Sequence, residues 1–115
     1  MHSASSKFGA RMNAFHREYP LLLTPAMAVQ PFSTGLDSPP GYGETGEWSP
    51  FTAPFNFTRQ PACSVPAGFS RAGLPVGLQI VGPLHSDLLV LQAARAFEGA
   101  QPWAAARPTC LDESS

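Results

Sequence analysis

The sequence predicts an α/β fold in which helices cover a β-sheet, and three observations support this. Near the start, apolar residues recur at spacings of four, three and four, which is typical of an amphipathic helix. A short, continuous apolar run follows at once, as expected for a buried strand. Later in the 115 residues, two more apolar segments with turn residues between them precede an apolar stretch with helix-capping signals.

The first predicted helix spans about three turns and ends before Pro20. Ser5 or Ser6 is the expected N-cap. The apolar face is formed by Phe8, Met12, Phe15 and Tyr19. The run from Leu21 to Thr24 is then expected to be a strand that is buried on both faces, closed by Pro25.

Residues 26–54 form a long irregular loop in this interpretation, because they show no sustained period and contain many of the 13 prolines and 10 glycines of the chain. Loops of this length in compact proteins are usually functional or poorly ordered. Their aromatic residues, which include Trp48 and Phe51, favour packing against another surface. Residues 104–115 are expected to be a frayed tail.

The segments from Cys63 to Phe69 and from Leu74 to Gly82 are predicted to be two strands joined by a four-residue turn. Gly77 would allow close approach of other backbone in the second strand. A final helix is expected from an N-cap at Ser86 to a C-cap at Gly99. We expect residues 1–115 to form part of one domain.

The charge balance excludes several classes of partner. Seven basic residues oppose eight acidic ones, the net charge is −1, and the basic residues are scattered. Such a chain is not expected to bind nucleic acid or an anionic membrane surface. Its apolar runs are far shorter than the roughly 20 residues of a transmembrane helix. Without a secretory signal we expect a cytoplasmic location, with Cys63 and Cys110 both reduced.

Several short motifs have a simpler structural interpretation. The glycines of 41–46 match G-x-G-x-x-G, but prolines flank them where a strand and a helix would be needed. Asn56 begins a glycosylation sequon and is interpreted as a turn residue. Cys63 with His16 or His85 could be a thiol nucleophile with its base, although a buried apolar cysteine is favoured. The histidine spacing indicates no metal site, and we expect no cofactor.

From Pro54 to Trp103 the chain resembles the C-terminal block of amidase-signature enzymes. The matching pattern combines an Asn-Phe-Thr element, a Ser-Val-Pro-Ala-Gly-Phe strand and a Gly-Leu-Pro-Val-Gly-Leu-Gln strand in one order. The segment from Phe15 to Pro25 is similar to the element that precedes that block. The resemblance implies an α/β fold with a large mixed sheet covered by helices, and about the last quarter of a family protein.

The resemblance also implies hydrolysis of a small carboxylic amide by a Ser-Ser-Lys catalytic segment. The chain has no Gly-Gly-Ser-Ser-Gly-Gly run, and its only lysine is Lys7, so no catalytic residue can be assigned. The expected partner is an upstream catalytic part, in cis or in trans. The loop around Trp48 and Phe51 is expected to line the substrate pocket.

Two departures from the family pattern bear on function. Arg59 stands where relatives often have glycine, and Ser49 stands where the subunits of glutamine-dependent amidotransferases tend to carry an acid. The second departure favours a general amidase over an amidotransferase. An alternative from another functional class is a non-catalytic binding module or a degenerate remnant. Uncovered strand edges also predict that the chain can associate with itself.

Overall fold

The computed structural model describes residues 2–27, 29, 31–36, 41, 50–51, 53–103 and 105–106. Within these residues three helices pack with one sheet of three strands, which confirms the predicted α/β fold class. The elements are α1 (His2–Glu18), β1 (Leu22–Pro25), α2 (Ala53–Thr58), β2 (Ala62–Phe69), β3 (Pro75–Val81) and α3 (Asp87–Ala100).

The three strands form one sheet in the order β1-β3-β2, and both pairings are antiparallel. Leu23 and Cys63 both lie opposite Ile80, which sets the register on the two sides of β3. The expectation that the Leu21–Thr24 run is buried on both faces is wrong, because Leu23 is 58% exposed. β1 is an outer strand here, and α3 packs on β2 and β3 instead.

The core lies on both faces of β3. Consecutive residues of a strand point to opposite faces, and Ile80 and Val81 are 2% and 0% exposed. Val81 packs with Met12 of α1 and Phe55 of α2 on one face. Ile80 packs on the other face with Val65 of β2 and Val90 of α3. The described residues therefore form three layers, with α1 and α2 on one side of the sheet and α3 on the other.

The amphipathic helix predicted near the start is confirmed, although it begins at His2 and not after Ser5 or Ser6. Met12 is buried, and Phe8, Phe15 and Leu22 pack around the same cluster. Tyr19 follows the helix and is 54% exposed, with its ring centroid 5.0 Å from that of Phe15. Tyr19 therefore covers Phe15 and does not enter the core.

The short helix α2 was not predicted. Asn56 lies inside it, so the interpretation of Asn56 as a turn residue is wrong. Pro54 is tolerated in the first turn because N–H groups there have no partner within the helix. The helix ends at Thr58, and the next residue, Arg59, has a φ of +59° and donates its N–H to Phe55 O at 3.0 Å. A left-handed residue in this position closes a helix, and glycine is the residue that adopts it most easily.

The predicted hairpin and final helix are confirmed. Ser70 N–H donates to Leu74 O at 2.8 Å, and Gly73 supplies the left-handed φ of +81° in the turn between β2 and β3. Ser86 is the N-cap residue of α3, but its side chain makes no capping hydrogen bond. The predicted C-cap at Gly99 is wrong, since α3 continues through Ala100 and its cap is Gln101.

The structure describes only part of the predicted loop and tail. Ala53 and Pro54, which the prediction placed in the loop 26–54, lie in α2. At the other end, Ala106 N–H donates to Trp103 O at 2.9 Å, so a turn follows Trp103. The rest of the predicted tail and much of the predicted loop lie outside the described residues.

Candidate functional site

Gln79 ties the end of the long loop to the sheet. It lies on β3, is 7% exposed, and shares the face of Val81. Its side-chain Nε2 donates to Thr24 Oγ1 of β1 at 2.9 Å and to Phe51 O at 2.8 Å. Because an amide NH₂ group has two protons, both are used. The backbone of Phe51 is thus held against the sheet by a buried donor from the central strand.

Phe51 and Trp48 are the two residues expected to line a substrate pocket. Phe51 is half-buried and is the one whose main chain Gln79 holds. Trp48 lies outside the described residues. The structure therefore fixes the position of one of the two residues relative to the sheet, and their role in a pocket stays a prediction.

Small residues surround Gln79 on the same face. A Cβ atom added to Gly77 would lie 3.0 Å from Ala26 Cβ and 3.0 Å from Ser64 Oγ. A close approach at Gly77 is therefore observed, but the approaching atoms belong to side chains and not to backbone as predicted, since the nearest backbone atom is Val65 O at 3.8 Å. Ser64 is exposed and lies opposite Gln79, so β2 presents a small side chain on this face beside the residue that holds Phe51. Such a surface can accommodate another layer of polypeptide or part of a ligand.

A second buried amide, Gln60, lies just before β2. It is 8% exposed, and its Nε2 donates to Gly82 O at 3.0 Å. Gly82 N–H in turn donates to Pro61 O at 3.0 Å. In a regular antiparallel pair Gly82 O would accept the N–H of residue 61, but proline has none. The Gln60 side chain supplies the donor that Pro61 lacks.

The same Gln60 Nε2 lies 2.8 Å from His16 Nε2. Since an amide NH₂ group only donates, His16 Nε2 is the acceptor, and its Nδ1 then carries the proton that is donated to Tyr19 O at 2.9 Å. Gln60 thus connects α1 to the end of the sheet. Its Oε1 is buried and has no hydrogen-bond partner among the described residues.

The thiol hypothesis finds no support in this geometry. Cys63 packs in the cluster beneath α3, whereas His16 lies on α1 across the sheet with both ring nitrogens engaged. Burial raises the pKa of the Cys63 thiol, which disfavours the nucleophilic thiolate. His85 is exposed. Cys63 therefore behaves as a small apolar side chain, as the apolar strand around it indicated.

The described residues provide positioning groups, and no assembled catalytic centre is found among them. No group of three His, Cys, Asp or Glu side chains in the described part of the chain could hold a metal ion. The same part has no helix long and apolar enough to cross a bilayer. Lys7 is exposed on α1. The arrangement can orient backbone and neighbouring polypeptide through Gln79 and Gln60.

Sequence reasoning did not identify Gln60 or Gln79 as important. Gln79 was a visible candidate, because it is the one polar side chain between Val76 and Val81. A polar residue inside a strand with buried neighbours requires a partner. For Gln60 the sequence offers a weaker indication, which is the proline that follows it. Because proline has no N–H, a carbonyl on the paired strand lacks a main-chain donor and needs one from a side chain.

Comparison with known proteins gives consistent matches. The family model described as Amidase matches residues 2–91. The chain is 37% identical over 100 residues to an acylamidase of Rhodococcus erythropolis, covering 82% of this chain and 21% of the relative. It is 50% identical over 64 residues to a 6-aminohexanoate-cyclic-dimer hydrolase of Paenarthrobacter ureafaciens, covering 56% of this chain and 13% of the relative.

A solved structure shows the same fold. The chain superimposes on a glutamyl-tRNA(Gln) amidotransferase subunit of Thermotoga maritima with a TM-score of 0.76 and 35% sequence identity. That match covers 88% of this chain and 22% of the solved chain. The chain therefore spans about a fifth of the length of such relatives. The match of the family model over most of the chain, together with this shared fold, shows that the chain belongs to the amidase-signature family.

Proposed function

We propose that this chain is the C-terminal scaffold and pocket-wall part of an amide hydrolase, and that it acts with a catalytic segment on polypeptide outside these 115 residues. The observation that supports it best is the Gln79 anchor. A buried amide on the central strand holds Phe51 O at 2.8 Å. It thereby positions the loop for which pocket contacts are expected.

The reaction follows from the family. In amidase-signature enzymes a serine attacks the amide carbonyl, a second serine and a lysine relay the proton, and backbone N–H groups stabilise the oxyanion. The chain has no Gly-Gly-Ser-Ser-Gly-Gly run and only one lysine, Lys7. Both observations support the proposal that the catalytic residues lie on other polypeptide. In this proposal the chain alone does not hydrolyse amides, and its substrate is a small carboxylic amide.

Exposed apolar side chains support a requirement for further polypeptide. Leu88 and Leu91 on α3 are 68% and 62% exposed, and Leu23 on β1 is 58% exposed. Leu88 and Leu91 lie on a different side of α3 from Val90, which is buried. A helix with apolar side chains on two sides usually packs against other polypeptide on both of those sides. The catalytic part of an amidase is the partner we propose for it, in cis or in trans.

A second candidate is a portion of a glutamine-dependent amidotransferase, which the 35% identity to the Thermotoga maritima protein favours. Ser49, in place of the acid that the corresponding amidotransferase chains tend to carry, argues for the general amidase. A non-catalytic binding module would use the same apolar surfaces for a different partner. A cytoplasmic location fits each of these functions.

Replacement of a segment in an active relative tests the proposal. In the Rhodococcus erythropolis acylamidase, the segment that matches this chain would be exchanged for the corresponding residues of this chain. We expect the chimera to hydrolyse amides and the isolated chain to have no activity. A second variant of the chimera carries Gln79→Met. This variant should lose most of its amidase activity, while its unfolding stays cooperative.

Two results would contradict the proposal. A chimera that folds with a native circular dichroism spectrum but has no activity would show that these residues cannot form the pocket wall. Amide hydrolysis by the isolated chain, lost on substitution of a nucleophile within it, would show that catalysis needs no other polypeptide.

A further inference from the structure

Thr24 on β1 is the cross-strand neighbour of Gln79 on β3. The two residues lie directly opposite each other in the antiparallel register. Side chains in such a pair lie on the same face of the sheet and are close enough to interact. Gln79 Nε2 donates to Thr24 Oγ1 at 2.9 Å, and Thr24 Oγ1 donates in turn to Pro25 O, also at 2.9 Å. The threonine hydroxyl therefore joins the Gln79 amide to the main chain at the end of β1.

The number of protons determines the direction of these two bonds. A threonine hydroxyl has one proton, and Thr24 gives it to the carbonyl oxygen of Pro25, which can only accept. Thr24 Oγ1 must then accept from Gln79, and only the NH₂ end of the amide can supply that proton. The opposite orientation of the amide would bring two acceptors together. Thr24 thus turns the NH₂ group of Gln79 towards β1 independently of Phe51.

The second proton of the same NH₂ group is the one that Phe51 O accepts, at 2.8 Å. The last torsion of a glutamine side chain is broad and roughly two-fold, so a free amide can present either its nitrogen or its oxygen. The oxygen would face the Phe51 carbonyl without a proton between them. Because Thr24 disfavours that orientation, the donor for Phe51 is in place before the loop returns to the sheet. Such preorganisation lowers the entropy lost when the contact forms.

The same part of β3 holds both ends of the loop. Ala26, the first residue after β1, donates its N–H to Gly77 O at 3.0 Å. Phe51 is held by Gln79, which lies two residues further along the strand. Residues two apart in a strand are separated by about 7 Å. The chain therefore leaves the sheet and returns to it at neighbouring places, and the Gln79 side chain fixes the point of return.

We propose that Thr24 is a positioning residue for the pocket wall, and that it acts through Gln79 to set where Phe51 lies. This role rests on the proposed function in so far as Phe51 lines the pocket. The hydrogen-bond chain from Pro25 O through Thr24 and Gln79 to Phe51 O does not depend on that function. Thr24 touches no reacting atom in this role. Its influence on the reaction is on binding of the amide substrate, because a phenylalanine side chain cannot transfer a proton.

NMR of the side-chain amides in the full 115-residue chain tests the hydrogen-bond chain. Thr24→Val keeps the shape of the side chain and removes the hydroxyl, so the Gln79 NH₂ protons should exchange with water about tenfold faster. Thr24→Ser keeps the hydroxyl and should keep the slow exchange. Ser64→Ala is the matched control, because Ser64 lies opposite Gln79 on the other side and accepts neither Nε2 bond. Exchange of the backbone amides of β3 should not change in any variant.

Steady-state kinetics of the acylamidase chimera test the consequence for the pocket. Thr24→Val should raise KM by about five- to tenfold with kcat nearly constant, because a wall contact is made equally in the ground state and the transition state. Thr24→Ser should restore the KM of the unsubstituted chimera. A residue that only stabilised the sheet would reduce the amount of active enzyme and leave KM unchanged.

Several results would overturn the role of Thr24. Slow exchange of the Gln79 NH₂ protons in folded Thr24→Val is one, and equally fast exchange in Ser64→Ala is another. An unchanged KM in Thr24→Val, despite fast exchange at Gln79, is a third. Thr24→Ala takes the place of Thr24→Val if the valine protein does not fold, with the same expected results. An unsubstituted chimera without activity would contradict the proposed function, and the NMR experiment on the 115-residue chain would then decide the role of Thr24 by itself.

Discussion

The side chain of Gln60 occupies the place of a main-chain donor: its Nε2 lies 3.0 Å from Gly82 O, which would otherwise face the ring nitrogen of Pro61. One residue thus compensates for its neighbour in the sheet. The compensation is incomplete in another respect, because Gln60 Oε1 is buried without a partner among the described residues. Leaving a buried carbonyl without a donor costs about 1–3 kcal/mol.

This relationship predicts the outcome of a double-mutant cycle. Gln60→Met keeps the volume and removes both the donor and the unpartnered Oε1, so it should lower the free energy of unfolding by at most about 1–3 kcal/mol. In a Pro61→Ala background the loss should be smaller, because the alanine N–H can bond to Gly82 O. Urea unfolding of the four proteins measures the coupling. The contact with His16 is lost in both backgrounds. If Gln60→Met lowers the free energy of unfolding equally in both, Gln60 does not replace the donor that Pro61 lacks.

Arg59 holds a backbone conformation that glycine adopts with less strain. Its φ of +59° costs an L-residue about 1–2 kcal/mol, of which the greater chain entropy of unfolded glycine offsets part. Arg59→Gly should therefore raise the free energy of unfolding by about 0.5–1 kcal/mol. Arg59→Ala is the control, since it removes the exposed side chain and keeps the strain. An equal gain in both variants would assign the effect to charge.

Gln79 should be more important for the loop than for the sheet. Gln79→Met removes both donors and should cost about 1–3 kcal/mol. Hydrogen exchange should rise most strongly around Phe51, because its carbonyl loses its anchor. Gln92→Met, on an exposed position of α3, is the matched control and should leave both quantities unchanged. Unaltered exchange around Phe51 in Gln79→Met would count against an anchoring role.

Gly82 sets how closely α3 approaches the sheet. A Cβ atom there would lie 2.7 Å from Val90 Cγ2, so Gly82→Ala requires the Val90 side chain or the helix that carries it to move. We expect a loss of about 1–3 kcal/mol, as for other overpacked sites. The loss should shrink in a Val90→Ala background. Gly99→Ala is the control, because a Cβ there meets nothing within 4 Å and a helical alanine should stabilise by about 0.5–1 kcal/mol.

Cys63 should react slowly as long as the chain is folded. Burial raises the pKa of its thiol, so the folded state keeps the proton while the unfolded state loses it. The resulting contribution to stability is present below the unfolded pKa and is lost as the pH rises through the folded pKa. Iodoacetamide modification of Cys110→Ser protein should be slower in buffer than in urea. Faster modification of the folded protein would revive the thiol hypothesis.

The sequence predicts the elements that have a clear period. The hairpin and α3 are predicted within a residue or two, because Val76, Leu78 and Ile80 alternate in the sequence and Ser86 marks the start of α3. The helix α2 has six residues, which is too short to establish a period, and its Asn56 is of a type that is common in turns. The burial of β1 was overestimated, since an apolar run does not show which side of a sheet a later helix will cover.

The candidate site depends on contacts that sequence patterns do not show. Gln79 and Phe51 are 28 residues apart, and Gln60 and His16 are 44 apart. Each contact joins a polar side chain to an element whose position is fixed only when the sheet forms. Arg59 is an intermediate case: the sequence shows an arginine where relatives often have glycine, and the left-handed φ explains why glycine suits that position.

The central position of β3 also determines the order in which parts of the chain can fold during synthesis. β1 ends at Pro25 and pairs with a strand that begins only at Pro75. The first helix and strand therefore leave the ribosome long before their partner exists, with Met12 and Leu22 exposed to other chains in the meantime. Contacts between such distant parts of a chain slow folding. We expect chaperones that shield apolar segments to bind a nascent chain of this kind.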